Sequence, residues 1–79
     1  MNSLDAAGRV VGTKQSLKAI KEGRAIKVVL AEDTEEPIRQ QIMDACQACG
    51  VPIEAYESRQ ALGAACGIER SAAVVTLLK

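Results

Sequence analysis

Helix and strand signals alternate along the whole of this 79-residue chain. That alternation predicts an α/β sandwich, a sheet with helices packed on both faces. Two other observations agree. Residues 27–31 (KVVLA) and 72–78 (AAVVTLL) are short apolar runs, rich in β-branched side chains, of the kind that fill a buried strand. Gly23, Gly50 and Gly67 each follow a segment of helical period, where a helix ordinarily stops. A chain of this size buries only about 60% of the surface its unfolded form exposes, so residues 1–79 are expected to make a single domain with a small core.

The first strand is the short apolar step Val10-Val11, closed by Gly12. Residues 14–22 have helical period up to Gly23, and residues 27–31 form the second strand. Asp33 and Thr34 offer capping oxygens for a second helix, and Pro37 is tolerable in its first turn, where an N–H has no partner in any case. From there Ile38, Ile42, Ala45, Cys46 and Cys49 fall on one apolar stripe. Arg39, Gln40, Gln41, Asp44 and Gln47 face away, and Gly50 ends the helix. Residues 51–56 read as a third strand, with Pro52 near the beginning, where a missing donor is tolerated. Ser58 is placed to cap a short helix over residues 59–66, and residues 72–78 close the chain as a central strand.

Formal net charge is zero, but it is unevenly spread. Residues 1–27 carry Arg9, Lys14, Lys18, Lys21, Arg24 and Lys27 against Asp5 and Glu22, a balance of +4. Residues 28–58 carry seven acids against Arg39 alone, −6, and residues 59–79 return +2. Charges further apart than about 8 Å are largely screened in cells, so a polyanion meets the local charge and not the total. Tyr56 is the only aromatic residue. Single-stranded RNA is commonly held by stacking bases on aromatic side chains, and no such platform can be built here. An RNA partner is therefore expected to be a structured element, read by base edges, backbone and shape.

Lys14, Lys18 and Lys21 fall at i, i+4 and i+7 of the first helix, within an arc of roughly 60°. Alone, such a stripe is an ordinary solvated face. Gly12-Thr13 immediately before it adds something: a glycine lets backbone approach a ligand closely, and the N–H groups of a helix start attract phosphate. Cys46-Gln47-Ala48-Cys49 has redox spacing but lies at a helix end, where the dipole does not activate a thiol. Zinc needs about four ligands, and the chain has three cysteines and no histidine, so both thiols are expected to pack in the core. Glu32, Asp33, Glu35 and Glu36 precede a helix, whose dipole they complement. No activated serine and no P-loop appears, and an enzyme is not expected.

Residues 12–23 (GTKQSLKAIKEG) resemble the signature of the kink-turn-binding ribosomal protein family, whose archetype is the archaeal large-subunit protein L7Ae. Residues 62–73 (LGAACGIERSAA) resemble its second segment, at the family's separation. The resemblance covers nearly the whole chain from Val10 and is strongest to the small bacterial, ribosomal-protein-like branch. It implies an α-β-α sandwich around a four-stranded mixed sheet. It also implies a site, in which the start of the first long helix enters the widened groove at tandem sheared G·A pairs. Gly12 and Thr13 would then allow backbone approach, and Lys14, Gln15 and Lys18 would reach guanine edges or phosphates, with Lys21 extending the basic stripe. Ile68, Glu69, Arg70 and Ser71 match the loop that packs on the looped-out nucleotides of the kink. Archaeal members carry Asn-Glu where this chain has Lys14-Gln15, a change that removes a carboxylate and adds a cation.

The function expected on these grounds is non-catalytic recognition and stabilisation of kink-turn RNA, with ribosomal RNA among the candidate partners. No cofactor, metal, small-molecule substrate or membrane is expected to take part. Three cysteines, an odd number, and no secretory leader point to the reducing cytoplasm. Two alternatives stand beside this reading. One is a protein-interaction module that keeps the fold and uses its acidic helix face; the other is a thiol redox protein built on Cys46 and Cys49.

Overall fold

The computed structural model describes residues 8–79; Asp5, counted in the charge balance, lies outside them. The elements run β1 (Arg9–Val11), α1 (Thr13–Lys21), β2 (Ala25–Ala31), α2 (Glu36–Cys49), β3 (Ile53–Tyr56), α3 (Arg59–Ala65) and β4 (Val74–Leu78). This is the expected order, with bounds displaced by one or two residues. The sheet order is β1-β4-β2-β3, so β4 is central as anticipated. It pairs antiparallel with β1 and β2, while β2 and β3, joined through α2, are parallel. The sheet is therefore mixed.

Side chains on a strand alternate between faces, and that alternation divides the core in two. Val28, Leu30 and Val74 point to one face, where Ile20 of α1 and Ile42 and Cys46 of α2 cover them. Val29, Ala31, Val75 and Leu77 point to the other, under Leu62 and Cys66 at α3. Helices thus lie on both faces, two on one side and the short α3 on the other. None of the described helices is long and apolar enough to cross a membrane.

Capping differs from the sequence reading at one helix. Ser58 caps α3 as expected, its Oγ accepting the Ala61 N–H at 3.0 Å. Asp33 and Thr34 do not cap α2, whose N-cap is Glu35 with no side-chain bond. Asp33 Oδ1 instead accepts the Arg59 N–H at 2.8 Å, at the start of α3, and Thr34 Oγ1 donates to the Ala73 carbonyl at 3.3 Å. Both residues lie in the turn that β2 delivers to the end of the sheet, within reach of other chain segments. Long-range partners therefore take oxygens that local spacing assigned to α2.

The apolar stripe of α2 also needs correction at its end. Ile42 and Cys46 are buried and Ile38 and Ala45 half-buried, but Cys49 is exposed. It stands in the last position of the helix, and Gly50, in the left-handed region at φ 69°, turns the chain one residue later. Burial raises the Cys46 thiol above its ordinary value, with nearby Cys49 adding to the shift. Cys66 is raised by burial too, partly offset by the Arg9 guanidinium. Since the thiolate is the reactive form, Cys49 should react with a thiol reagent near neutral pH well before Cys46 and Cys66. Cys46→Ala should cost on the order of 1 kcal/mol in a urea melt and Cys49→Ala almost nothing. Equal reaction rates for the three thiols would contradict this placement.

Candidate functional site

Strands β1, β2 and β3 all run toward the same end of the sheet, and each leads into a helix. The N-termini of α1, α2 and α3 therefore gather at one end, where β4 begins. The short stretch before and at the start of β4 ties them together. Gly12 N donates to the Val74 carbonyl at 2.9 Å, Ala31 N to Ala73 at 2.9 Å, and Ala72 N to the Arg59 carbonyl at 3.0 Å. Residues separated by sixty positions in sequence thus share one surface.

A helix start carries about half a positive charge on N–H groups that have no partner within the helix. In α3 this is met by Ser58 and Asp33, and in α2 Glu36 occupies the first turn. At α1 there is neither a capping side chain nor an acid in the first turn. Lys14 adds a full charge to that end, and both Lys14 and Gln15 are exposed, while Thr13 is half-buried. Gly12, which precedes them, has φ 110°, a conformation that side-chain-bearing residues rarely adopt. Nothing lies within 4 Å of the position a Cβ would take there. The backbone at Gly12 is open to a ligand from outside.

Lys18 is exposed one turn along α1 from Lys14. Lys21 stands apart. At 1.5 Å per residue it lies about 10 Å along the axis from Lys14, lining a shallow groove with Leu17, Gln41, Asp44 and Ala45. It is thus a basic residue beside an acidic one, at the far end of the stripe. Of the second segment, Glu69, Arg70 and Ser71 are exposed. Ile68 is half-buried against the core beneath α3 and anchors the loop from below.

The sequence reading did not anticipate that residues 32–36 come to this same end. Thr34 bonded to Ala73 brings the acidic turn beside the segment on which Gly12 rests. The exposed Glu32, Glu35 and Glu36 repel phosphate and accept hydrogen bonds from donor groups. Only the tertiary pairing reveals this neighbour, since locally these acids fit the dipole of α2. Among the described residues no group of three His, Cys, Asp or Glu side chains could hold a metal ion. The surface presents backbone N–H donors, lysines, a neutral amide and carboxylates: groups that bind and orient.

The whole stretch from residue 2 to residue 79 matches the model of the ribosomal protein L7Ae/L30e/S12e/Gadd45 family. An RNA-binding protein of Geobacillus thermodenitrificans is 43% identical over 76 residues, covering 96% of this chain and 93% of its own. The RNA-binding protein YbxF of Geobacillus stearothermophilus is 41% identical over the same coverage. Among solved structures, the 15.5kD RNA binding protein of Giardia lamblia superimposes with a TM-score of 0.82 at 29% identity. That match covers 98% of this chain and 65% of the Giardia chain. With its α1 and α3 segments, its mixed sheet and near full-length similarity to these proteins, the chain belongs to the ribosomal protein L7Ae/L30e/S12e/Gadd45 family.

Proposed function

We propose that this chain is a non-catalytic RNA-binding protein that recognises and stabilises kink-turn RNA, acting in or near the ribosome in the cytoplasm. The observation that carries the reading is the open backbone at Gly12, followed by a helix start with no capping side chain and no acid in its first turn. Residues 68–71 lead directly into Ala72, which bonds to the start of α3, and into Val74, whose carbonyl accepts the Gly12 N–H. A straight duplex touches one of these patches at a time. A kinked one presents a widened groove and a bulge together. The relatives' names, RNA-binding proteins, support the partner class.

In this mechanism Thr13, Lys14, Gln15 and Lys18 meet the groove of the kinked stem, and Ile68, Glu69, Arg70 and Ser71 meet the bulge. Lys21 adds a more distant phosphate contact. Binding only the bent form shifts the RNA toward it by the free energy of that binding. The test is affinity for an RNA with tandem G·A pairs and a three-nucleotide bulge, against the same RNA with Watson–Crick pairs in their place. Phosphate charge is nearly unchanged between the two, so the electrostatic contribution and its salt dependence survive. Two lost base contacts at about 1–3 kcal/mol each give a fall of at least about tenfold. Comparable affinities at physiological salt would leave a basic-faced α/β domain, and a protein partner would become the better reading.

A further inference from the structure

The loop over residues 67–71 is held at several points, and the closest of them is a glycine on α3. A Cβ built at Gly63 would stand 2.0 Å from the Arg70 carbonyl oxygen, 3.0 Å from its carbon and 3.1 Å from Ser71 Cα. All three are backbone atoms, so no rotamer change relieves the clash. The Gly63 carbonyl also accepts the Ile68 N–H at 3.1 Å, so the same residue touches the loop near both of its ends. Ala72 N donates to the Arg59 carbonyl at 3.0 Å and fixes the exit. From β1, Arg9 Nη2 donates to the Cys66 carbonyl at 2.7 Å, just before the loop begins.

We infer that Gly63 and Arg9 are positioning residues that set where the loop over residues 67–71 stands, and so determine preference for a bulged RNA. The inference rests on the reading of that loop as the second RNA contact. Glu69, Arg70 and Ser71 are exposed, whereas the backbone of Arg70 and Ser71 is pressed on α3 without room for one carbon atom. Ordinary contact needs about 3.5 Å, so a methyl at position 63 must push the Arg70 carbonyl outward by more than about 1 Å. A site displaced by that much loses its fit while its residues all remain present. Arg9 acts from β1, the strand that delivers Gly12, and so couples the two halves of the surface through one side chain.

The experiment has two arms. In the first, hydrogen exchange of the Ile68 amide is followed in the free protein, with Gly63→Ala and Arg9→Gln as variants. Both variants should speed that exchange while leaving the β2 and β4 amides protected. Arg9→Gln adds no atoms to the core, so it keeps the question open to test if Gly63→Ala folds poorly. The second arm measures affinity for kinked RNA with and without the three-nucleotide bulge. Wild type should prefer the bulged RNA, and each variant should lose about tenfold of that preference while keeping its affinity for the bulge-free RNA. Unchanged Ile68 exchange with bulge preference within twofold of wild type would overturn the inference. Wild type that already lacks the preference would overturn the functional reading and the specificity role with it, while the exchange arm still decides whether Gly63 and Arg9 position the loop.

Discussion

Gly12→Val should weaken binding to the kinked RNA by at least about tenfold while leaving binding to a straight duplex nearly unchanged. Two effects act together. At φ 110° a β-branched residue is strained, and relief of the strain rotates the first amides of α1 away from their present direction. The added methyls also enter space that is open now, which is where the groove of the RNA would come closest. The strain itself costs about 1–3 kcal/mol of stability, so the folded fraction must be measured alongside the affinity. Gly12→Ala separates the two effects, since it brings nearly the same backbone strain with a single methyl. A Gly12→Val protein that is folded and binds kinked RNA within twofold of wild type would show that close backbone approach is not needed.

The elements were legible because each is written locally. Gly23, Gly50 and Gly67, all with positive φ, stand at helix ends, and Ser58 caps α3 from its own sequence position. The alternation in residues 28–31 places Val28 and Leu30 on one face and Val29 and Ala31 on the other, as strand periodicity requires. What could not be read depends on distant partners. Asp33 looks like a cap for α2 until β2 and α3 are seen side by side, when its carboxylate serves Arg59. Cys49 fits the stripe of α2 by phase, but phase alone does not tell whether a residue at the end of a helix is covered, and Cys49 is exposed. Gly63 illustrates the same limit at the candidate site. Inside a helix it reads as a mild defect, and only the Arg70 carbonyl against its Cα explains why a side chain is excluded.

Ile42→Ala should cost about 2–5 kcal/mol, the largest loss of stability expected from a change remote from the site. Ile42 is fully buried where α2 crosses the sheet, among Val28, Leu30, Val74 and Cys46, and truncation leaves a cavity that rigid strands on one side cannot close. A 79-residue domain has a total stability of roughly 4–12 kcal/mol, so the variant should lose a large part of it and show an early urea midpoint. The proposed RNA surface, at the end of the sheet, is untouched by the substitution. Binding to the folded state alone should therefore restore stability by mass action, by about 2.7 kcal/mol at free RNA one hundred times the dissociation constant. Kinked RNA should move the urea midpoint of the variant upward by this free energy divided by the m-value, and a straight duplex at the same concentration should move it much less. A midpoint unchanged by the substitution would mean that the core is not centred at Ile42. A destabilised variant that kinked and straight RNA rescue equally would show that the folded domain does not distinguish the bent form.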